Sequence, residues 1–212
     1  RHRDNAAKIL ETYRSTNSAQ ARGEPITPAA QWLLDNNYVV EETIFQIKRD
    51  LPPKFYQQLP LIKLPSGAQV PRVLALAWVY VAHSDSAVSS QMLKALVDGF
   101  QSVEPLKIGE LWALPSLLRF VLIENLRRIA VRVKRAREMR QIANDVADRV
   151  LASGDGEDRL KFMAPYAVHA RDTTFATQLL YRLRDDAPPD GETLARRMTA
   201  DLNPLVDALW SQ

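Results

Sequence analysis

The feature that most constrains the fold is a helical pattern from residue 108 to about residue 151, the longest in the chain. Its first half places Glu110, Arg119 and Glu124 among large apolar side chains on nearly every helical face. A charge near the centre of a membrane-spanning helix costs about 2.5–3.5 kcal/mol, and a solvated helix would not be so densely apolar. The segment is therefore predicted to be the buried central helix of a helical bundle, with its charges paired.

Each of the three charged residues has an expected partner. Glu124 precedes Arg127 and Arg128 by three and four residues, a spacing that allows ion pairs along one helix. Glu110 would lie in the first helical turn, where a carboxylate is favoured by the helix dipole. Arg119 is crowded by apolar neighbours, so its head group is expected to reach a carboxylate or carbonyl of another helix.

Elsewhere the chain shows the same helical period, with apolar residues recurring at three and four positions, and no convincing alternating strand. Thr27 followed by Pro28 is typical of a helix start, with a capping residue and a proline in the first turn. The segments 50–60 and 64–71 are predicted to be a connector and a loop. The predicted helices cover about residues 4–20, 27–49, 72–83, 89–100, 108–151, 158–170, 173–186 and 190–201. This predicts an all-α array of about seven to nine helices around one long central helix.

The chain has 212 residues, begins at Arg1 and has no signal-peptide pattern, so we interpret it as part of a longer protein. We expect a main helical domain over residues 1–152 and shorter helices packed on it over residues 153–212, continuing into the parent protein. The longest apolar run, of ten residues from Val73 to Ala82, is too short to span a bilayer as a helix. The absence of cysteine excludes disulfides and thiolate chemistry.

No motif in the sequence predicts catalysis or metal binding. Asp-x-Asp, with which many sugar-nucleotide transferases hold a divalent metal, does not occur, and the acidic stretch 154–158 is interpreted as a turn. Glu41 and Glu42 are adjacent on a helix and point about 100° apart, so they cannot converge on one glycosidic bond. His83 and His169 are expected to cap or pair at helix ends. We therefore assign no catalytic, cofactor-binding or metal-binding residue.

Positive charge is concentrated after the apolar half of the long helix. Residues 127–149 carry eight basic side chains against three acidic ones, an excess of five, whereas the whole chain has a net charge of +3. We call its first part the basic segment, a possible docking surface consisting of Arg127, Arg128, Arg132, Lys134, Arg135, Arg137 and Arg140. The basic segment is compatible with a solvated helix face, with a surface that meets anionic lipid or another module of the parent protein, or with nucleic-acid binding. The last is disfavoured because only Gln141 nearby could read base edges.

Three blocks of sequence carry a family resemblance. They are "ITPAAQWLLDNNYVVEETIFQIKRDLPPKFYQQLP" (26–60), "PRVLALAWVYVAHSDS" (71–86) and "PLKIGELWALPSLLRFVLIENLRRIA" (105–130), with a looser match at 175–185. In this order they resemble the N-terminal region of cyclic β-1,2-glucan synthases. The family pattern has Thr where Lys107 stands, so a capping box with Glu110 is expected to be weakened here.

The resemblance implies a very large bacterial inner-membrane protein. Such a protein joins a processive glucosyltransferase, which uses UDP-glucose and a divalent metal, to transmembrane helices and to modules resembling glycoside phosphorylases, and it makes periplasmic cyclic glucan. The matching region lies ahead of the transferase on the cytoplasmic side. The chain would then be a non-catalytic accessory or scaffolding domain without a cofactor of its own. Its partners would be the rest of the parent chain and anionic inner-leaflet lipid.

One alternative stays open at this point. The chain is also compatible with a stand-alone helical regulator that binds nucleic acid or a protein partner through residues 127–140.

Overall fold

The computed structural model describes residues 2–152 and 164–185, and 77% of these residues are helical. The helices are α1 (His2–Ala21), α2 (Pro28–Asp35), α3 (Asn37–Asp50), α4 (Pro53–Tyr56), α5 (Arg72–His83), α6 (Ser90–Gln101), α7 (Ile108–Ala152), a 3₁₀ helix (Ala164–His169) and α8 (Thr173–Asp185). Two short strands, β1 (Leu61–Lys63) and β2 (Gln69–Pro71), form the sheet in the described part of the chain. The predicted all-α fold with one long helix is confirmed.

The chain divides into two compact units, Arg1–Val131 and Arg132–Gln212. The division falls inside α7, so the first half of this helix belongs to unit 1 and the second half to unit 2. The domain boundary predicted after residue 152 stays a prediction. The acidic stretch 154–158 and the predicted helix 190–201 lie outside the described residues.

In unit 1, the first half of α7 contributes to two apolar clusters. One cluster joins α5 to α7 through buried residues that include Val73, Ala77, Leu114 and Leu117. The other joins Ile123 of α7 to buried side chains of α1, α2 and α3, namely Ile9, Leu33, Val40 and Ile47. Because side chains of α7 enter both clusters, this half of the helix is central within its unit, as its apolar pattern predicted.

In unit 2, the second half of α7 packs against α8. Buried Met139, Ala143, Val146 and Val150 recur at three and four positions along α7. They meet apolar residues of α8 with the same spacing, Phe175, Leu179 and Leu183. These apolar side chains of α7 and α8 therefore form a core cluster of the second unit.

Local sequence signals set several helix starts. Thr27 accepts a hydrogen bond from the Ala30 backbone N–H at 3.3 Å, and Ser89 accepts one from Met92 at 3.4 Å, so both cap the following helix. Pro115 lies early in the predicted helix 108–151, where a proline favours either a new helix start or a kink. The helix is continuous from Ile108 through Pro115, so α7 does not restart there.

The single helix predicted over residues 27–49 is wrong at one position. Asn36 leaves the helical conformation, with φ −113° and ψ 12°, and separates α2 from α3. Its backbone N–H and its Nδ2 both donate to the carbonyl oxygen of Trp32, at 3.0 Å and 2.9 Å. The amide side chain thus competes with the backbone for helical hydrogen bonds, a property that disfavours Asn inside helices.

The loop predicted over residues 64–71 is also wrong in part, because it contains β2. Leu61 pairs with Pro71 and Ile62 with Val70 in an antiparallel hairpin. The chain reverses near Gly67, whose φ of +83° is readily adopted only by glycine. Three-residue strands are too short to show an alternating pattern, which explains why the sequence did not reveal them.

Candidate functional site

The most completely buried charged contact in the described residues joins Glu110 to Arg72. Glu110 is 0% exposed and Arg72 is 5% exposed. Arg72 Nε donates to Glu110 Oε1 and Arg72 Nη2 donates to Oε2, both at 2.7 Å, which is bidentate geometry. Arg72 opens α5 and Glu110 lies in the first turn of α7, so the pair ties together the starts of two helices.

Further contacts engage both terminal nitrogens of Arg72. Its Nη2 also donates to the Pro105 carbonyl oxygen at 2.8 Å, and its Nη1 forms an ion pair with Glu104. The guanidinium lies 5.6 Å from the centre of the Phe100 ring, a cation–π distance. A buried arginine with this many partners fixes the 100–110 connection against α5.

Glu110 also caps its own helix. Its Oε2 accepts a hydrogen bond from the Lys107 backbone N–H at 3.0 Å. This is the half of a capping box that the glutamate supplies, and it does not depend on the side chain at position 107. The lysine side chain at position 107 therefore leaves this half intact.

The surroundings of Glu110 keep it ionised. Burial alone favours the neutral acid, but the hydrogen bonds from Arg72 and from the Lys107 amide act in the opposite direction and outweigh it. The pKa of Glu110 is consequently lowered from its ordinary value of 4.5. The hydrogen bonds with Glu110 raise the pKa of Arg72. This carboxylate is fully engaged, which makes it a structural group.

Of the other two charged residues in the apolar half of α7, Glu124 has the predicted partners and Arg119 is not crowded as predicted. Glu124 pairs with Arg127 at 2.7 Å and with Arg128 at 3.5 Å, as predicted, and the Arg127 hydrogen bonds lower the pKa of Glu124. Arg119, expected to be crowded, is exposed. The pKa of Asp50, at the end of α3, is lowered mainly by hydrogen bonds from Arg49 and Ser116, and the charge of Arg119 makes a smaller contribution in the same direction.

The basic segment is divided between the two units. Arg127 and Arg128 belong to unit 1, where both pair with Glu124. The other five, Arg132, Lys134, Arg135, Arg137 and Arg140, belong to unit 2. In unit 2, Lys134 Nζ lies 3.6 Å from Glu138 Oε1, and Arg135 Nε lies 3.2 Å from Asp172 Oδ2. Part of the positive charge of the basic segment is therefore compensated by carboxylates of the same unit. Docking through this segment stays a prediction.

The remaining candidates occupy ordinary surface positions. Glu41 and Glu42 are exposed and accept hydrogen bonds from Asn37 and Gln46 of their own helix. His83 is exposed at the end of α5, and the His169 ring lies 5.7 Å from that of Phe175. Among the described residues, no cluster of His, Cys, Asp or Glu could hold a metal ion. The helices in those ranges include none long and apolar enough to cross a membrane.

One apolar face of α7 is exposed, contrary to the prediction that this stretch is buried all round. Ile108 is 74% exposed and Trp112 is 78% exposed, with the 40% exposed Leu111 beside them. Residues three and four apart lie on one side of a helix, so these three form a single face, which we call the α7 apolar face. Contiguous exposed apolar surface of this kind commonly marks an interaction site.

Sequence reasoning identified Glu110 but missed its partner Arg72. The available signal was the single arginine at the start of the otherwise apolar segment 72–82. Such a residue needs a partner if it is buried, but the sequence does not say which carboxylate lies opposite it.

These features together define an all-α protein of two compact units, the first of which contains a buried ion pair between the starts of two helices. No protein-family model matches the chain. Over 195 residues, 92% of this chain, it is 53% identical to the cyclic beta-(1,2)-glucan synthase NdvB of Rhizobium meliloti (strain 1021). The chain spans only 7% of the length of that protein. This match confirms the resemblance to cyclic β-1,2-glucan synthases, and it is a match to one region of a much larger protein.

Proposed function

We propose that this chain is a non-catalytic N-terminal accessory domain of a cyclic β-1,2-glucan synthase. The observation that carries the proposal is the 53% identity over 92% of the chain, to a protein of which the chain spans 7%. The parent would perform processive glucosyl transfer from UDP-glucose with a divalent metal, and this domain would pack on its transferase module or membrane segments. In that arrangement the domain lies on the cytoplasmic side of the inner membrane.

The residues support a role without chemistry. The sequence contains no Asp-x-Asp to hold a metal on a sugar nucleotide. Glu110, the carboxylate with the most unusual surroundings, has its two oxygens committed to Arg72 and to the Lys107 amide. A general acid or base needs a carboxylate that can reach substrate, and this one is 0% exposed.

The α7 apolar face supports an assembly role. Trp112 and Ile108 are among the most exposed large apolar side chains of the described residues, and aromatic anchors of this type are enriched in protein interfaces. The occupant we propose is the rest of the parent polypeptide, because the matched relative is more than ten times as long as this chain. The alternative, a stand-alone regulator acting through residues 127–140, gains no support from the match.

Activity of the isolated chain tests the first part of the proposal. The purified 212-residue chain is incubated with radiolabelled UDP-glucose, with and without Mn²⁺ or Mg²⁺, and glucose transfer and UDP release are measured. We expect neither. Reproducible turnover that depends on the chain would overturn the non-catalytic role.

Complementation tests the assembly role. A full-length synthase lacking the region corresponding to residues 5–152 is expected to lose most cyclic glucan synthesis and to regain it when the 212-residue chain is supplied separately. Trp112→Ser in the supplied chain should weaken co-purification with the truncated synthase. Tyr38→Ser, at an exposed aromatic residue of α3 outside the α7 apolar face, is the matched control. Full activity of the truncated enzyme without the chain would contradict the proposal.

A further inference from the structure

A cleft of about 430 Å³ in unit 2 gathers cationic side chains from separate parts of the chain. Arg132 and Arg135 line it from α7, where they are three residues apart and share a helix face. Arg171 and His169 line it from the turn and the 3₁₀ helix that precede α8. The volume falls in the range of small-molecule binding sites.

One of these arginines is already positioned by the fold. Arg135 Nε donates to Asp172 Oδ2 at 3.2 Å. The other oxygen of Asp172, Oδ1, accepts from the Thr174 backbone N–H at 3.0 Å and caps α8. These two hydrogen bonds fix the carboxylate of Asp172. Asp172 in turn orients the guanidinium of Arg135 through Nε, and the two Nη groups of Arg135 remain available to bind a ligand.

The other two arginines are uncommitted. Within residues 2–152 and 164–185, the side chains of Arg132 and Arg171 form no ion pair or hydrogen bond, and both residues are exposed. Three guanidinium charges stand against the single carboxylate of Asp172, so the cleft carries a net charge of two positive units with His169 neutral. The guanidinium group is planar and presents paired N–H donors that match the oxygens of a phosphate.

We propose that this cleft binds a dianionic phosphate group, such as that of a phosphate monoester. Arg132 and Arg171 bind the phosphate oxygens, and Arg135, oriented by Asp172, supplies the third cation. The exposed hydroxyl of Thr173 lies at the same cleft and adds a neutral donor. The charge of a dianion balances that of the cleft, whereas a carboxylate or phosphodiester leaves one positive charge uncompensated. This inference goes beyond the accessory role and does not depend on glucan synthesis.

The first test uses the full 212-residue chain and inorganic phosphate at about pH 8, where most inorganic phosphate is the dianion; the second pKa of a phosphate monoester is lower, about 6. Titration is followed by calorimetry and by amide chemical shifts, with acetate and chloride at matched ionic strength. We expect saturable phosphate binding and shifts at Thr173 and Thr174. Arg132→Gln and Arg171→Gln should each weaken binding about tenfold, the usual effect of losing one charge-assisted hydrogen bond. Arg128→Gln, on the same helix but outside the cleft, should leave affinity within about twofold.

The source of the phosphate is distinguished with vesicles. Phosphatidic acid presents a phosphate monoester, phosphatidylglycerol a diester, and phosphatidylcholine no net charge. Binding to phosphatidic acid vesicles that inorganic phosphate displaces indicates a lipid headgroup. Phosphate binding without vesicle binding indicates a soluble phosphorylated ligand.

Three outcomes would overturn the proposal. They are the absence of saturable phosphate binding, equal binding of acetate, and an effect of Arg128→Gln as large as that of the two cleft variants. The last would show diffuse attraction along the basic segment. Because Arg132 and Arg171 are exposed, their substitution should leave the thermal midpoint unchanged, and the shifts at Thr173 and Thr174 in the unsubstituted chain provide a readout that needs no variant.

Discussion

At the scale of single residues, the contact between Arg72 and Glu110 dominates the description of unit 1. Taking two charges out of water is costly, and the attraction between them compensates only when geometry and additional hydrogen bonds are good. Here the pair is bidentate, and the Pro105 carbonyl and the Lys107 amide satisfy further donors and acceptors. Such a pair contributes little net stability but makes the loss of either partner severe.

The first prediction follows from that asymmetry. Glu110→Leu removes the buried, bidentate partner of Arg72 and leaves the guanidinium only the exposed Glu104 and the Pro105 carbonyl oxygen. It should lower the free energy of unfolding by about 3–5 kcal/mol. The double variant Arg72→Met/Glu110→Leu should recover most of this loss, because no buried charge remains. Urea unfolding measures both.

A surface pair provides the control for this experiment. Lys94 and Asp98 form an exposed pair along α6, and Lys94→Met should cost only about 0.3–0.5 kcal/mol. If Glu110→Leu costs no more than Lys94→Met, the buried pair does not have the role described here.

The second prediction concerns pH. The pKa of Glu110 is lower in the folded chain than its ordinary value of 4.5, so the unfolded state binds the proton more readily. The contribution of ionised Glu110 to the free energy of unfolding is fully present above about pH 4.5, and it is lost as the pH falls through the pKa of Glu110 in the folded chain. The unfolding free energy should therefore decline on acidification below about pH 4.5.

Glu110→Gln should make that decline shallower, because position 110 no longer titrates. A slope remains from Glu124, whose pKa is also lowered. Denaturant titrations at a series of pH values compare the two chains. An identical slope in both would show that Glu110 contributes no pH dependence.

At the scale of the elements, α7 is notable because it is a 45-residue helix that contains a proline. Proline has no backbone N–H, so Pro115 cannot donate to the Leu111 carbonyl one turn earlier, and its ring crowds that turn. Pro28, in contrast, occupies the first position of α2, where no intrahelical donor is required. The two prolines have opposite consequences for their helices.

The third prediction uses this contrast. Pro115→Ala restores a helical hydrogen bond at an exposed position and should stabilise unit 1 by up to about 3 kcal/mol. Pro28→Ala should be neutral or slightly destabilising, because it only increases the freedom of the unfolded chain. Thermal and urea unfolding measure both variants, and a destabilising effect of Pro115→Ala would contradict the argument.

At the scale of the whole molecule, each unit has its own apolar core although one helix runs through both. In unit 1, Leu117 is buried in the cluster between α5 and α7. In unit 2, Leu179 is buried in the cluster between α7 and α8. Separate cores predict that the two units open separately.

The fourth prediction tests that separation with matched changes. Leu117→Ala and Leu179→Ala each create a cavity, with an expected cost of about 2–5 kcal/mol within their own unit. Hydrogen exchange should accelerate in α5 and the first half of α7 for Leu117→Ala, and in α8 for Leu179→Ala. Equal acceleration throughout the chain in both variants would show one cooperative unit.

The elements of this protein were largely predictable because their causes are local. Apolar residues at helical spacing, the caps at Thr27 and Ser89, and the i to i+4 spacing from Glu124 to Arg128 all depend on residues within a turn or two. The resemblance over residues 26–130 was also carried by the sequence itself. The break at Asn36 and the three-residue strands were missed because their local signals are weaker than the surrounding pattern.

The sequence by itself therefore determined an all-α chain with one long helix, its main caps and its kinship. Only the tertiary structure decided that Arg72 is the partner of Glu110, 38 residues away, and that Arg171 lies at one cleft with Arg132 and Arg135. It also decided that the face with Trp112 is exposed in an otherwise apolar stretch. The physical reason is that helix formation depends on neighbours along the chain, whereas burial and ion pairing depend on which helices pack together.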